Sequence, residues 1–236
     1  MPSAPTPDRE LVDHVRAALG RRGDPEKAEP MRAYMKSELP FLGVQAPGQR
    51  AAFREAFAEH ALPDFATWRD TVLALWRGAR HREERYAAIA LTGERRYRAY
   101  ALDLRALPLY EELIVDGAWW DLVDGVAVHR LGPLLREHPD ELRRTLLDWS
   151  RSDDIWKRRS AIIAQNALEE ATDAGLLYAC IEASLGRKEL FLRKAIGWAL
   201  RERARTDPDE VARYVREREA DLAPLSRREA LKHLGV

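Results

Sequence analysis

Apolar residues recur at three- and four-residue spacing along almost the whole chain, while alternating β-branched runs and hairpin dipeptides are missing. The pattern predicts helices and no strands. Leu11, Val15, Ala18 and Leu19 form the first stripe, and Thr6-Pro7 and Asp24-Pro25 each place a capping side chain before a proline suited to a first helical turn. Pro30 lies one turn into EKAEPMRAYMKSEL, where it predicts a shortened, kinked or restarted helix closed by Pro40 and Gly43. Pro47 opens PGQRAAFREAFAEHAL and Asp64 opens DFATWRDTVLALW. Beyond Gly78 the periodicity predicts helices through ERYAAIALTGERRY, LPLYEELIV, AWWDLVDG and a short PLLREH piece. Then come DELRRTLLDWS from Asp140, DIWKRRSAIIAQNAL from Asp153 or Asp154, AGLLYACIEASL, KELFLRKAIGWALRERAR, PDEVARYVREREA and SRREALKHL. The fold class is all-α, with about a dozen helices joined by loops of ordinary length.

A string of the form basic-x-Ala-Ile recurs as RYAAIAL around Ala88, RRSAIIA around Ala161, LRKAIGW around Ala195 and RREALKH around Ala230. The last three alanines are 34 and 35 residues apart, and Ala88 precedes Ala161 by 73, close to two such steps. A period of that size predicts an α-solenoid of HEAT-like helix pairs, whose inner helices line a concave surface. Half of the 73-residue interval beyond Ala88 falls near Asp124, inside AWWDLVDG, so one repeat carries a carboxylate where the others carry a small residue. A repeat that breaks its own pattern in this way is a candidate for adaptation.

At helical spacing Trp120 and Asp124 lie one turn apart on one face, and an indole with a carboxylate suits a positively charged ligand. The competing reading is structural, since tryptophans commonly pack in cores and an aspartate near a helix start favours the helix dipole. In the same repeat register Arg159 stands two residues before Ala161, Trp198 three after Ala195, and Arg201 one turn further. Stacked repeats would then present Trp120, Asp124, Arg159, Trp198 and Arg201 in succession, combining aromatic faces, one anion and guanidiniums able to pair with phosphate.

Composition narrows the classes. The chain has 236 residues, 46% hydrophobic and 33% charged, with no apolar run long enough to span a bilayer. Residues 1–7 read as a disordered lead rather than a signal peptide, 8–236 as a single domain, and the expected location is the cytoplasm. Cys180 stands alone among apolar neighbours and reads as a buried small hydrophobe. The six histidines are scattered without metal-ligand spacing, and Gly-rich phosphate loops are absent, so no metal and no cofactor are expected. Lys plus Arg equals Asp plus Glu at 39 each, and the basic clusters gather in the second half. They serve either as solvated helix surface or as a face that tracks a phosphate backbone.

The strings EKAEPMRAYMK, FLGVQAP, ELIVDGAWWDLVD, SDDIWKRR, KAIGWALRE and DLAPLSRREA, in that order, resemble the DNA alkylation-repair glycosylases of the AlkD type from near residue 24 to the C-terminus. The resemblance implies a right-handed, C-shaped solenoid of HEAT-like repeats with double-stranded DNA in its concavity. It implies a monofunctional, monomeric enzyme of a bacterial-type cytoplasm, at the nucleoid when acting on DNA. Its substrates would be cationic alkylpurines such as 3-methyladenine and 7-methylguanine, extending to bulky adducts, cleaved without base flipping. Asp124 matches the family's catalytic aspartate, and Trp120 and Trp198 its aromatic contacts to the deoxyribose and backbone of the lesion. Arg159 matches a phosphate-contacting arginine, Tyr34 a tyrosine facing the DNA, and Arg201 a further backbone contact. Two departures are the proline-rich start and the extra basic residues Lys157 and Arg158 before Arg159. Two other readings remain: a catalytically silent module that binds damaged DNA, and a scaffold that binds a protein partner.

Overall fold

The computed structural model describes residues 6–234, and among them every regular element is helical. The expected lead falls mostly outside that range; Thr6 and Pro7 are described and have no regular structure. No helix of the described residues is long and apolar enough to cross a membrane. The chain divides into two compact units, with the boundary between Leu109 and Tyr110.

In the first unit, α1 (Arg9–Gly20), α2 (Pro25–Met35), α3 (Ala46–Ala58), α4 (Phe65–Arg77) and α5 (Arg82–Thr92) are followed by short helical turns, among them α6 (Arg98–Ala101). Its core is built where α1 packs on α3 and α4, and α5 on α4 and α3, around the fully buried Trp68 and Trp76. The first helix starts later than Thr6-Pro7 suggests. Asp8 is its cap, accepting from the Leu11 amide at 2.8 Å, while the Asp8 amide donates to Thr71 Oγ1 of α4 at 2.9 Å. That tertiary bond fixes which acidic or hydroxyl residue caps.

Pro30 neither breaks nor restarts α2. The lost bond would have ended on the Glu26 carbonyl, and Glu26 is exposed on a helix with no buried residue, so water can satisfy it. The helix expected through ERYAAIALTGERRY stops at Thr92, because Gly93 closes it with its amide on the Ala90 carbonyl; a separate turn covers Arg95–Tyr97. The loop after α2 is pinned by Glu83, whose buried carboxylate accepts from the amides of Leu42, Gly43 and Val44 at 3.0–3.1 Å. Gly43 is required there, since its φ is +83° and a Cβ would fall 2.0 Å from the Asp24 carbonyl.

Helix α7 (Leu107–Gly117) leads into the second unit, which contains α8 (Trp120–Val126), α9 (Gly132–Glu137), α10 (Pro139–Trp149), α11 (Ile155–Ile163), α12 (Ala174–Glu182), α13 (Leu190–Arg203), α14 (Pro208–Glu217) and α15 (Pro224–Ala230). Here α8 packs on α11, α11 on α13, and α13 on α15, so the 34- and 35-residue intervals are successive steps of a stack. The repeat alanines Ala88, Ala161, Ala195 and Ala230 are all buried. The architecture is that of an α-solenoid of helical repeats. Of the two candidate starts for α11, Asp154 is the cap, accepting from the amides of Trp156 and Lys157 at 2.8 and 3.0 Å. α10 begins at Pro139, one residue before Asp140.

Candidate active site

The helix expected across AWWDLVDG begins inside it. Ala118 adopts a left-handed backbone, φ +41°, and Trp119 is extended, so Trp120 is the first helical residue. Trp119 packs edge-on against Phe191 of α13 with ring centroids 5.3 Å apart, and Phe191 also meets Trp156 of α11 at 5.0 Å. This aromatic cluster ties the start of α8 to α11 and α13. Trp120, directed by the helix instead, is half-buried. A non-glycine residue in the left-handed region costs on the order of 1 kcal/mol. Ala118→Gly is therefore expected to raise stability by about 0.5–1 kcal/mol in urea denaturation; a loss of that size would show that the turn is not strained.

After Val126 the helix widens into one π-helical turn, Ala127–Leu131, before α9. Such turns insert a residue and reset the register of the helix beyond them. Gly132 then comes so close to α11 that a Cβ would lie 2.6 Å from the Ala164 carbonyl. The widened turn and the glycine together seat the α8–α9 segment directly on α11.

That seating brings Asp124 to Arg159. Nε and Nη2 of Arg159 donate to the two carboxylate oxygens at 2.7 Å each, and Nη1 donates to the Phe191 carbonyl at 2.7 Å. The side chains are 18% and 6% exposed, respectively. Burial pushes the Asp124 carboxyl above the ordinary carboxylate range; the hydrogen bonds and charge of Arg159 oppose the rise, and Asp121 adds to it. Because both oxygens accept from one guanidinium fork, the geometry is that of an ionised carboxylate. Asp124 is thus a carboxylate that is paired and still partly open to solvent.

Arg159, expected as a contact to phosphate, has its fork on Asp124 and its remaining amino group on the Phe191 carbonyl of α13. Arg201 is likewise ion-paired, with Glu229 of α15. Trp198 stands two turns beyond Phe191 on α13, half-buried, its indole nitrogen donating to Glu202 at 3.0 Å. Tyr34, in the first unit, is 75% exposed on α2. Asp124 and Arg159 are brought into direct contact, with Trp120 one turn away on α8. The link from Arg159 to α13 through the Phe191 carbonyl was not visible in the repeat register.

The extra basic residues before Arg159 are structural. Lys157 pairs with Glu111 and lies 5.6 Å from the Trp149 ring. Arg158 is buried and donates to the carbonyls of Ser150, Arg151, Ser152 and Ala183, stapling the loop before α11 to the end of α12. Much of the basic surface of the second half is also self-paired: Arg143 with Asp173, Arg203 with Glu210, Arg205 with Glu202 and Arg227 with Glu219. Lys194 and Arg228 are exposed and have no ion-pair partner among the described residues.

No group of histidine, cysteine, aspartate and glutamate among the described residues is arranged to hold a metal ion. Cys180 is fully buried, and burial pushes its thiol up to about 12, which keeps it protonated at neutral pH.

The sequence profile of the family described as "DNA alkylation repair enzyme" matches residues 15–234. A solved structure from Enterococcus faecalis, described as a "Predicted DNA alkylation repair enzyme", is similar with a TM-score of 0.80 at 29% identity, over 91% of this chain and 97% of that one. No curated protein matches the sequence.

Proposed function

Because the chain belongs to the DNA alkylation repair enzyme family, we propose that it is a DNA glycosylase that hydrolyses the N-glycosidic bond of cationic alkylated purines in double-stranded DNA. The observation that carries the proposal is Asp124, a largely desolvated carboxylate kept ionised by Arg159, with the half-buried Trp120 one turn away. A purine alkylated at N3 or N7 already bears positive charge, and cleavage of the bond from C1′ lets it leave as a neutral base. The positive charge then moves to the sugar, which gains oxocarbenium character. A fixed anion in a poorly hydrated site stabilises that charge where it develops, and water adds to C1′ with its proton passing to the carboxylate or to solvent. The half-buried indoles of Trp120 and Trp198 offer faces that attract the cationic sugar and lesion.

Burial and ionisation pull in opposite directions at this carboxylate. Alone in a dry setting it would tend to take a proton and lose its value as an anion; the Arg159 fork keeps it charged. No strong general acid is needed for a leaving group that departs neutral, so the reaction asks for a positioned anion and a water molecule and no dedicated pocket for the base. Cleavage without base flipping, with tolerance of bulky adducts, is consistent with that economy. DNA would be met through phosphates, with Lys194 and Arg228 available for pairing and Tyr34 and Arg201 as further contacts.

The test is release of free 7-methylguanine from a methylated duplex under metal-free conditions. Release by the wild-type protein, with DNA affinity falling steeply as salt rises, is the expected result. Salt-sensitive binding with no release of 7-methylguanine, 3-methyladenine or a bulkier adduct would replace it with the binding-module reading.

A further inference from the structure

Trp198 is not held by packing alone. Its neighbours Ala199 and Leu200 are buried, whereas Trp198 and Glu202 lie one turn apart on a partly open face of α13, joined by the 3.0 Å bond from indole Nε1 to Glu202 Oε1. The other carboxylate oxygen of Glu202 takes Arg205 Nε at 3.2 Å. Glu202 also lines a cavity of about 450 Å³ together with Gln165, Asn166, Arg203 and Thr206. With open volume beside it, the carboxylate has room for other rotamers, and its hydrogen bond to the indole and its ion pair with Arg205 favour the one that meets the indole. A bond from an N–H to an ionised acceptor is roughly twice as strong as a neutral one. It removes the freedom an indole on an open face would otherwise have. A carboxylate beside a surface that meets phosphates also works against DNA affinity, a cost that is accounted for if the carboxylate acts on the indole.

We propose that Glu202 is the positioning residue for Trp198, fixing the plane of the indole so that its face is already set for the cationic sugar and lesion. The inference rests on the glycosylase reading above. Orientation fixed before binding lowers the barrier more than it tightens the ground state, so its loss falls on kcat more than on KM.

The experiment compares Glu202→Ala, Glu202→Gln and Trp198→Phe, alone and combined, in single-turnover release from the methylated duplex, alongside the indole N–H resonance of Trp198 in ¹⁵N-labelled protein. Glu202→Ala is expected to slow release about tenfold at saturating DNA, with DNA affinity changed less than about threefold. It should also shift the Trp198 indole N–H resonance and speed its exchange. Glu202→Gln keeps an acceptor and is expected to stay within about threefold of wild type in rate. In the Trp198→Phe background, Glu202→Ala should add nothing, because the bond it removes is already gone. A rate loss that persists undiminished in that background, as a general folding defect would give, overturns the proposal. So does failure of Glu202→Gln to restore the rate, or an indole resonance indifferent to Glu202→Ala. If the wild-type protein releases no base, the glycosylase reading fails, and the resonance arm still decides whether Glu202 orients the indole.

Discussion

Asp124→Asn is expected to cut base release at least about tenfold, a barrier increase on the order of 1.4 kcal/mol or more. The change removes the negative charge from the place where positive charge develops on the sugar; it keeps the size of the side chain and one of the two acceptors that Arg159 meets. DNA binding should be retained or become slightly tighter, because an anion is lost from a surface proposed to meet phosphates. The pH dependence separates this role from a merely structural one. If the ionised carboxylate acts, the wild-type single-turnover rate rises with pH through the Asp124 titration, on a limb displaced upward from an ordinary aspartate because burial is the larger influence. In Asp124→Asn that limb should vanish. Undiminished turnover in the variant would sink the catalytic role.

The fold was legible in proportion to how local its signals are. The aspartate caps at Asp24, Asp64 and Asp154 are read from short windows, and the structure uses all three. The recurring alanines marked buried positions of the stacked helices, a pattern that repeats with the stack. Errors arose where a distant group decides a local question. Thr71 of α4 selects Asp8 over Thr6 as the first cap. The left-handed backbone at Ala118, against the usual preference of alanine, splits the tryptophan pair into one packing residue and one helical residue.

The site was legible as a set of residue types and less so as a set of bonds. Repeat arithmetic put Asp124 and Arg159 in one register, but which partner an arginine reaches, carboxylate or phosphate, depends on a helix-to-helix distance of a few ångströms. That distance is set by the widened turn after Val126 and by the close approach at Gly132. Glu83 passed unnoticed in sequence because the backbone amides it binds lie about forty residues away and carry no side-chain signature. Glu202 was equally silent, being one of many glutamates on an amphipathic helix.

Arg159→Ala is expected to destabilise the protein by about 3 kcal/mol near neutral pH, since removing one partner of a largely buried ion pair leaves the other charged and uncompensated. The bond to the Phe191 carbonyl is lost as well, loosening α11 from the start of α13. Asp124 is already raised above its ordinary value by burial, and without the opposing guanidinium it rises further. In the unfolded chain the same carboxyl titrates at its ordinary value, so between the two values the folded state binds more protons than the unfolded one. Stability then falls as pH rises through that window, and the cost of the substitution grows from acidic toward neutral pH. Urea denaturation at both ends of the window measures this directly. A deficit that is flat with pH, or below about 0.5 kcal/mol at neutral pH, would show that the pair is not formed in solution. The release assay supplies an independent check. If Arg159 acts through Asp124, the acid limb of the rate profile moves to higher pH while the salt dependence of DNA binding keeps its slope. A slope shallower by about one unit with the limb unmoved would instead show Arg159 in contact with phosphate.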